Sequence, residues 1–306
     1  MAKHQSLFFL CIVFLMFGIR LDAQVVTFNN CADCNQDSTL KLYTDSIKII
    51  DHQIALYPDS SWLYSKRGSY HFSIHDFPNT KLDLQKALAI DSNNLYAYLG
   101  LGYINNIELN YSSAIPYFTK YLNLNPDDFS ICYTIGEILM LANQTEAAIP
   151  FLIKSLKDST IQFEKNEDLA WCYSYISDYG NAKKHYQIAL EKVEEYIRED
   201  TLNAQNYFWR AYINTQLNNY RNVLEDYDKS ILLDSTCVRT YFFRGMARKS
   251  LNKPKESCAD LYTSLLLGYS QDAYDLLCES CKALCLQYTK AHPDRKDEPA
   301  SGYWVH

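Results

Sequence analysis

Residues 95–128 read LYAYLGLGYINNIELNYSSAIPYFTKYLNLNPDD. The stretch holds a first helix with its small residue at Gly102, a second helix with Ala114 and Phe118 four apart on one face, and a stop at Pro126, Asp127 and Asp128. Gly102 has counterparts 34 residues away on either side, Gly68 and Gly136, and Ala114 is followed at the same interval by Ala148 and Ala182. A fixed period of this length is the mark of a solenoid, in which a helix-turn-helix unit that cannot bury its apolar face alone stacks on its neighbours.

In that register six units begin at Ser61, Leu95, Phe129, Gln162 or Phe163, Ala204 and Val238, dividing the chain at 61–94, 95–128, 129–162, 163–203, 204–237 and 238–271. The small first-helix site reads Gly68, Gly102, Gly136, Ala170, Ala211 and Gly245, where two helices approach too closely for a larger side chain. Four residues before it stand Tyr64, Tyr98, Cys132, Asn166, Tyr207 and Tyr241, so the middle units depart from an aromatic pattern. The second helix pairs a small site (Thr80, Ala114, Ala148, Ala182, Val223, Ser257) with a large one (Leu84, Phe118, Leu152, Tyr186, Tyr227, Leu261).

On these positions the chain resembles the tetratricopeptide repeat family over about residues 61–271. The resemblance implies an all-α, right-handed superhelical solenoid of about six helix-turn-helix repeats. A leading helix near Thr39–Tyr57, within residues 39–60, matches only a second-helix half, and a closing helix is expected near Asp272–Tyr288, within 272–289, before a polar tail at 290–306. After Ala189 the second helix of unit four continues for about two extra turns through Val193, Ile197 and Glu199.

Charge is exchanged in pairs among the copies. Arg67, Arg210 and Arg244 precede the small site in units one, five and six, and Asp83, Asp226 and Asp260 hold the matching second-helix site of the same units. In the other three both partners change together, to Leu101 with Tyr117, Ile135 with Phe151, and Leu169 with His185. This predicts a partly buried Arg–Asp bridge between the helices of a unit, because a change at one partner alone strands a charge.

Lys3 and His4 precede an apolar run from Leu7 to about Ile19, too short to span a bilayer comfortably, and Ala23 precedes Gln24. Residues 1–23 therefore read as an export signal, followed by a polar segment at 24–38, and the mature chain is expected to be periplasmic or secreted, with peripheral or no membrane contact. Cleavage removes Lys3, Arg20 and Asp22, one net positive charge, and takes the formal charge from −7 to −8. A chain this acidic is a poor nucleic-acid binder, since that affinity rests on cations that neutralise phosphates.

Of ten cysteines, nine follow the signal, and an oxidising compartment favours disulfides among them. Cys132, Cys172 and Cys237 are scattered through the repeats and read as small apolar residues. Cys258, Cys278, Cys281 and Cys285 near the end could form disulfides, hold zinc or remain thiols. Cys258, Ala259 and Asp260, followed by Leu267, Gly268, Ala273 and Cys281, resemble the ending of exported bacterial tetratricopeptide proteins, and that resemblance implies a Cys258–Cys281 staple. Cys31 and Cys34 have the spacing of a redox pair, but polar flanks and the lack of strand–helix alternation point away from a thiol-disulfide enzyme.

No phosphate loop, nucleophile elbow or zinc-protease signature occurs, and six repeats with their end helices use nearly all of the mature length, so neither catalysis nor a cofactor or metal is expected. His71 and His75 share a helix face but fall beside a turn. What remains is a surface. The family resemblance places ligand-facing residues on the first helices, carried over here to Trp62, Tyr96, Leu99, Tyr103, Tyr133, Glu137, Met140, Trp171, Tyr175, Phe208, Tyr212, Phe242 and Met246. Rigid aromatics dominate binding hot spots, so this stripe predicts a protein-interaction scaffold that grips a peptide or helical segment of an unknown partner. Some of the stripe is expected to fill the core between repeats. Glu137, Glu164 and Glu167 make its middle acidic, favouring a basic or neutral partner. Exposed aromatics also stack on sugars, which leaves a carbohydrate-binding or structural envelope protein as the alternative, with the thiol-disulfide enzyme behind it. The carboxylate clamp of chaperone-tail binders is absent, with Ser65 and Ser69, Leu99 and Tyr103, and Tyr133 and Glu137 at its positions.

Overall fold

The computed structural model describes residues 36–268 and 271–292, which form fifteen α-helices and no strand. Helix α1 (Gln36–Leu56) leads into α2 (Ser61–Ser73), α3 (Phe77–Ile90), α4 (Leu95–Ile107), α5 (Tyr111–Leu124) and α6 (Phe129–Leu141). Then come α7 (Thr145–Ser155), α8 (Gln162–Tyr175), α9 (Tyr179–Glu199), α10 (Ala204–Gln216), α11 (Val223–Leu233), α12 (Val238–Ser250) and α13 (Pro254–Leu266), closed by α14 (Gln271–Ser280) and α15 (Lys282–Ala291). They fall into two compact units, one ending at Ala142 and one beginning at Asn143. The export signal at 1–23, the Cys31 and Cys34 pair and the tail beyond residue 292 lie outside the described residues.

The second helices supply the core of the helix pairs. All six of their large side chains, Leu84, Phe118, Leu152, Tyr186, Tyr227 and Leu261, are buried, as are all six small residues of the same helices. At Gly102 a Cβ would stand 2.7 Å from the Phe118 ring, so the helix backbone rests on that ring only because no side chain intervenes. Gly100, two residues earlier, does the same between repeats: its Cβ would meet Leu84 at 2.6 Å.

The turns inside five of the pairs share one geometry. His75, Leu109, Ser177, Asn218 and Asn252 have φ between 57° and 65°. Each donates its N–H three residues back, and the next residue donates five residues back, as in Asp76 to His71 and Lys253 to Arg248. This is a Schellman closure in which a non-glycine residue takes the left-handed position. Several helices also begin on a carboxylate or amide cap, with Asp76, Asp178, Asn94, Asp128 and Asn203 accepting first-turn N–H groups.

Arginine ties the helices laterally. Arg67 donates through Nε and Nη2 to Asp83 at 2.9 and 2.5 Å, Arg210 to Asp226 at 2.8 and 2.6 Å, and Arg244 to Asp260 at 2.9 and 2.6 Å. Nη1 of Arg67 and of Arg244 reaches back to the preceding second helix, to Asp51 and Asp228, both at 2.6 Å. Each guanidinium also lies 5.5 or 5.6 Å from the ring of the tyrosine three residues earlier, Tyr64, Tyr207 or Tyr241. Where repeat four lacks the pair, the buried His185 Nδ1 meets Asn166 Oδ1 at 2.9 Å. Burial, followed by Lys184, lowers the His185 pKa and favours the neutral ring.

The long helix α9 buries Val193 and Ile197 in a cluster with Phe163, Tyr186, Tyr212 and Ile213, which accounts for the extra turns as core. The closing segment differs from the single helix expected at 272–289: it is two helices, broken at Cys281, whose φ of −142° and ψ of 58° lie outside the helical region. Cys258 is bonded to Cys281 and Cys278 to Cys285, and the Cys258–Cys281 bond pulls the break against α13. Cys132, Cys172 and Cys237 are thiols.

Two stability outcomes are expected from chemical denaturation. Arg210→Leu leaves Asp226 buried without its fork and lowers stability by about 3–5 kcal/mol, whereas Arg210→Leu with Asp226→Tyr, the combination repeat two carries, recovers part of that loss; a double variant no better than the single contradicts the bridge. Leu109→Gly relieves a left-handed leucine and raises stability by about 0.5–1 kcal/mol.

Candidate functional site

In the first unit, Trp62 and Tyr96 hold the same second position of repeats one and two and remain exposed at 52% and 41%. Lys66 Nζ lies 4.5 Å from the Trp62 ring centroid, fixing that indole by a cation–π contact. Tyr133 and Glu137 on α6 are half-buried. Leu99, Tyr103 and Met140 are buried, and the Tyr103 ring meets Phe118 edge-on at 5.1 Å. The close approach of α4 and α5 at Gly102 draws the flanking residues inward, which removes Leu99 and Tyr103 from the surface.

In the second unit the stripe divides again. Phe208, Tyr212 and Phe242 are core residues: Phe208 packs on Tyr227 and Phe243, Tyr212 meets Phe243 edge-on at 5.2 Å, and Phe242 joins Leu261 and Leu277. Phe208 and Phe242 at the fifth position and Tyr212 at the ninth thus fill the gap to the next helix pair. Trp171 and Tyr175 reach the surface, stacked with centroids 5.5 Å apart and planes at 28°; Trp171 is half-buried and Tyr175 is 63% exposed. Met246 on α12 is also exposed.

The helix that carries this pair also carries carboxylates. Glu164, Glu167, Asp168, Trp171 and Tyr175 fall on one face of α8, neighbours in this series lying one to four residues apart. Glu164 keeps an exposed face while Glu167 and Asp168 are buried. Burial raises the Glu167 carboxyl well above its ordinary value, Asp168 adds to the rise, and Arg239 opposes it. Glu164 is raised by burial first and also by Asp168. The buried Cys172 thiol is pushed up by burial, then by Asp168 and Glu167, so it stays protonated and is no nucleophile.

Arg239 is a residue of this region that lies outside the stripe. It stands at the second position of repeat six, as Trp62 and Tyr96 do in theirs, and that equivalence is the signal the sequence offers for it. Its guanidinium lies 5.2 and 5.5 Å from the Phe208 and Trp209 rings. With its amide oxygen turned toward both donors, Gln205 accepts from Trp209 Nε1 at 2.9 Å and Arg239 Nη2 at 3.2 Å. A cation is therefore held on aromatic faces within electrostatic reach of Glu167.

His71 turns to carboxylates rather than to His75, with Nδ1 3.3 Å from Asp76 and Nε2 3.9 Å from Asp83. His75 lies edge-on to Phe77. No group of three or more metal-ligating side chains occurs among the described residues, and no helix among them is long and apolar enough to cross a membrane.

Solved structures share this architecture. The chain is similar to the Cut9–Hcn1 hetero-tetramer of the APC/C, at 17% identity and a TM-score of 0.56 over 80% of this chain and 46% of that one. It is similar to YrrB, a TPR protein with an unusual peptide-binding site, at 18% identity and 0.51 over 62% and 95%. A tetratricopeptide repeat protein from Parabacteroides merdae matches at 13% identity and 0.53 over 82% and 98%. The chain thus spans less than half the length of the Cut9–Hcn1 chain it matches. No family model matches the chain, and no curated protein matches it. The likeness defines the fold: the helix pairs have the fold of tetratricopeptide repeat proteins.

Because the folded-state pKa of Glu167 lies above the ordinary 4.5, ionising it costs stability as pH rises past that value. Glu167→Gln is therefore expected to gain on the wild type with rising pH, seen as a gap in Tm that widens as pH rises above 4.5. A gap of constant size across that range contradicts the assignment.

Proposed function

We propose that this protein is an exported, non-catalytic interaction module that binds a peptide or helical segment on the exposed faces of its first helices. The observation that carries the reading is the stacked Trp171–Tyr175 pair, which reaches the surface about two turns beyond the exposed Glu164 on the same helix face. Flat aromatic area on the same helix face as the exposed Glu164 suits a segment carrying lysine or arginine next to an apolar residue. Trp62, Tyr96, Tyr133 and Glu137 offer a smaller surface of the same kind in the first unit. The neighbours sharing the fold include a hetero-tetramer, Cut9–Hcn1, and a protein with a peptide-binding site, YrrB, which is consistent with this role. Two disulfides support an oxidising location, since such bonds persist outside the reducing cytosol.

Selection of a randomised peptide library on the full chain tests the proposal. Enriched peptides are expected to carry Lys or Arg, and Trp171→Ala with Tyr175→Ala is expected to weaken them about tenfold or more, equivalent to ~1.4 kcal/mol. Leu232→Ala, on the exposed side of α11, should leave binding unchanged. Equal binding by wild type and the aromatic double variant removes the site from α8. Retention of oligosaccharides with no peptide enrichment replaces the reading with the carbohydrate one.

A further inference from the structure

The end of a repeat stack must cover the apolar face that another repeat would have covered. Phe242, Leu261 and Leu265 of the last pair are covered here by Leu277, Cys281 and Tyr288. The helices that supply this cover are ten residues each, shorter than the ~12–15 residues below which isolated helices are marginal in water. A helix break at Cys281 divides them. Polar contacts of the cap include a hydroxyl hydrogen bond between Tyr274 and Thr289 at 2.9 Å and a surface pair of Lys249 with Glu279 at 3.4 Å.

Two disulfides tie the cap down. Cys258–Cys281 anchors the break to α13, and Cys278–Cys285 pins α14 to α15. Cys281 is buried, but Cys258, Cys278 and Cys285 are half-buried, so each bond presents one accessible sulfur or more to a soluble thiol.

We propose that the C-terminal cap is a thiol-controlled closure, opened by a dithiol reductant to bare the apolar end face of the last repeat and shut again when a small-molecule disulfide oxidant takes back two electrons and two protons for each bond, itself leaving as two thiols. A reductant thiolate attacks one cysteine sulfur, forming a mixed disulfide and releasing the other sulfur as a thiolate. The second reductant thiol then displaces the first cysteine and leaves as a disulfide, so two electrons and two protons enter the protein for each bond opened. Without its sulfur anchors the cap no longer outweighs the conformational entropy of its two short helices. Phe242, Leu261 and Leu265 then face water, an apolar surface shaped to receive the first helix of a further repeat. The closure does not depend on the peptide reading above, since it involves none of the α8 residues.

Limited trypsin digestion of the full chain, with cut sites followed by mass spectrometry, tests this with and without dithiothreitol. Cleavage after Lys282 and Lys290 is expected to accelerate about tenfold or more on reduction, cleavage after Arg210 and Arg244 to stay constant, and binding of an apolar dye to rise. Reoxidation should restore both readings. Cys258→Ser with Cys281→Ser should show the open pattern without reductant, with protection at Arg210 and Arg244 reporting that its repeats are folded. Equal cleavage at Lys282 in the oxidised and reduced chain overturns the proposal, as does a failure to reclose. Acceleration at Arg210 and Arg244 as well also overturns it, because the whole unit then unfolds.

Discussion

The repeats depend on a large side chain of the second helix seated against a first-helix residue that has almost none. Leu84 on Gly68 and Leu261 on Gly245 are in tight contact, and Gly102 lies against the ring of Phe118. The contact recurs because it sets the distance between the two helices of a pair, and the site holds nothing larger than the methyl group of Ala170 or Ala211. Other positions vary freely once it is kept. Tyr64 can become Cys132 or Asn166 without loss of the helix, as both replacements are buried and Asn166 finds hydrogen bonds to Gln162 and His185.

The forks show how the same stack admits two electrostatic solutions. A buried carboxylate such as Asp83 is tolerable only with a partner that matches both oxygens, and a guanidinium does so while its third nitrogen bonds the preceding helix at Asp51. One side chain thus joins a helix pair to its predecessor as well as to itself. Repeats two and four discard the charge altogether, with the buried Leu101 in one and the His185–Asn166 hydrogen bond in the other, which spares the desolvation cost of two ions. Half-exchanged combinations, a lone arginine or a lone aspartate, do not occur in the six copies.

The period makes the fold readable, because small and large sites repeat at fixed intervals and only helices bring those intervals to one face. The arginine–aspartate relation is readable for a related reason: six copies in one chain act as their own comparison. Asp51 and Asp228 carry no such signal, because the second contact of each fork crosses from one repeat to the one before, outside the register of a single unit. The turns are only partly readable, since the shared left-handed conformation falls on asparagine at Asn218 and Asn252, which favours it, but on His75, Leu109 and Ser177 elsewhere. The break at Cys281 likewise has no signal of its own in the run of residues around it, and it falls where a disulfide joins the segment to α13. In the stripe, Phe208 and Trp171 look alike as letters, and burial separates them. Which aromatic fills the space between repeats is decided by packing against Tyr227 and Phe243, residues far along the chain from Phe208 itself.

Helix α8 departs from the apolar lining of the other first helices. Where α4 buries Leu99, Leu101 and Ile104, α8 buries Lys165, Glu167 and Asp168. Lys165 is accounted for by Asp158, whose carboxylate and carbonyl it reaches at 3.2 and 3.0 Å, and which thereby closes the loop before the helix. Asp168 and burial together raise the cost of charge on Glu167, and the cation that relieves it, Arg239, comes from another repeat and is held there on two aromatic rings. Glu167 and Asp168 are thus packed into the unit on the helix face that carries the Trp171–Tyr175 stack, and the burial of Glu167 is offset by a side chain of another repeat rather than by solvent.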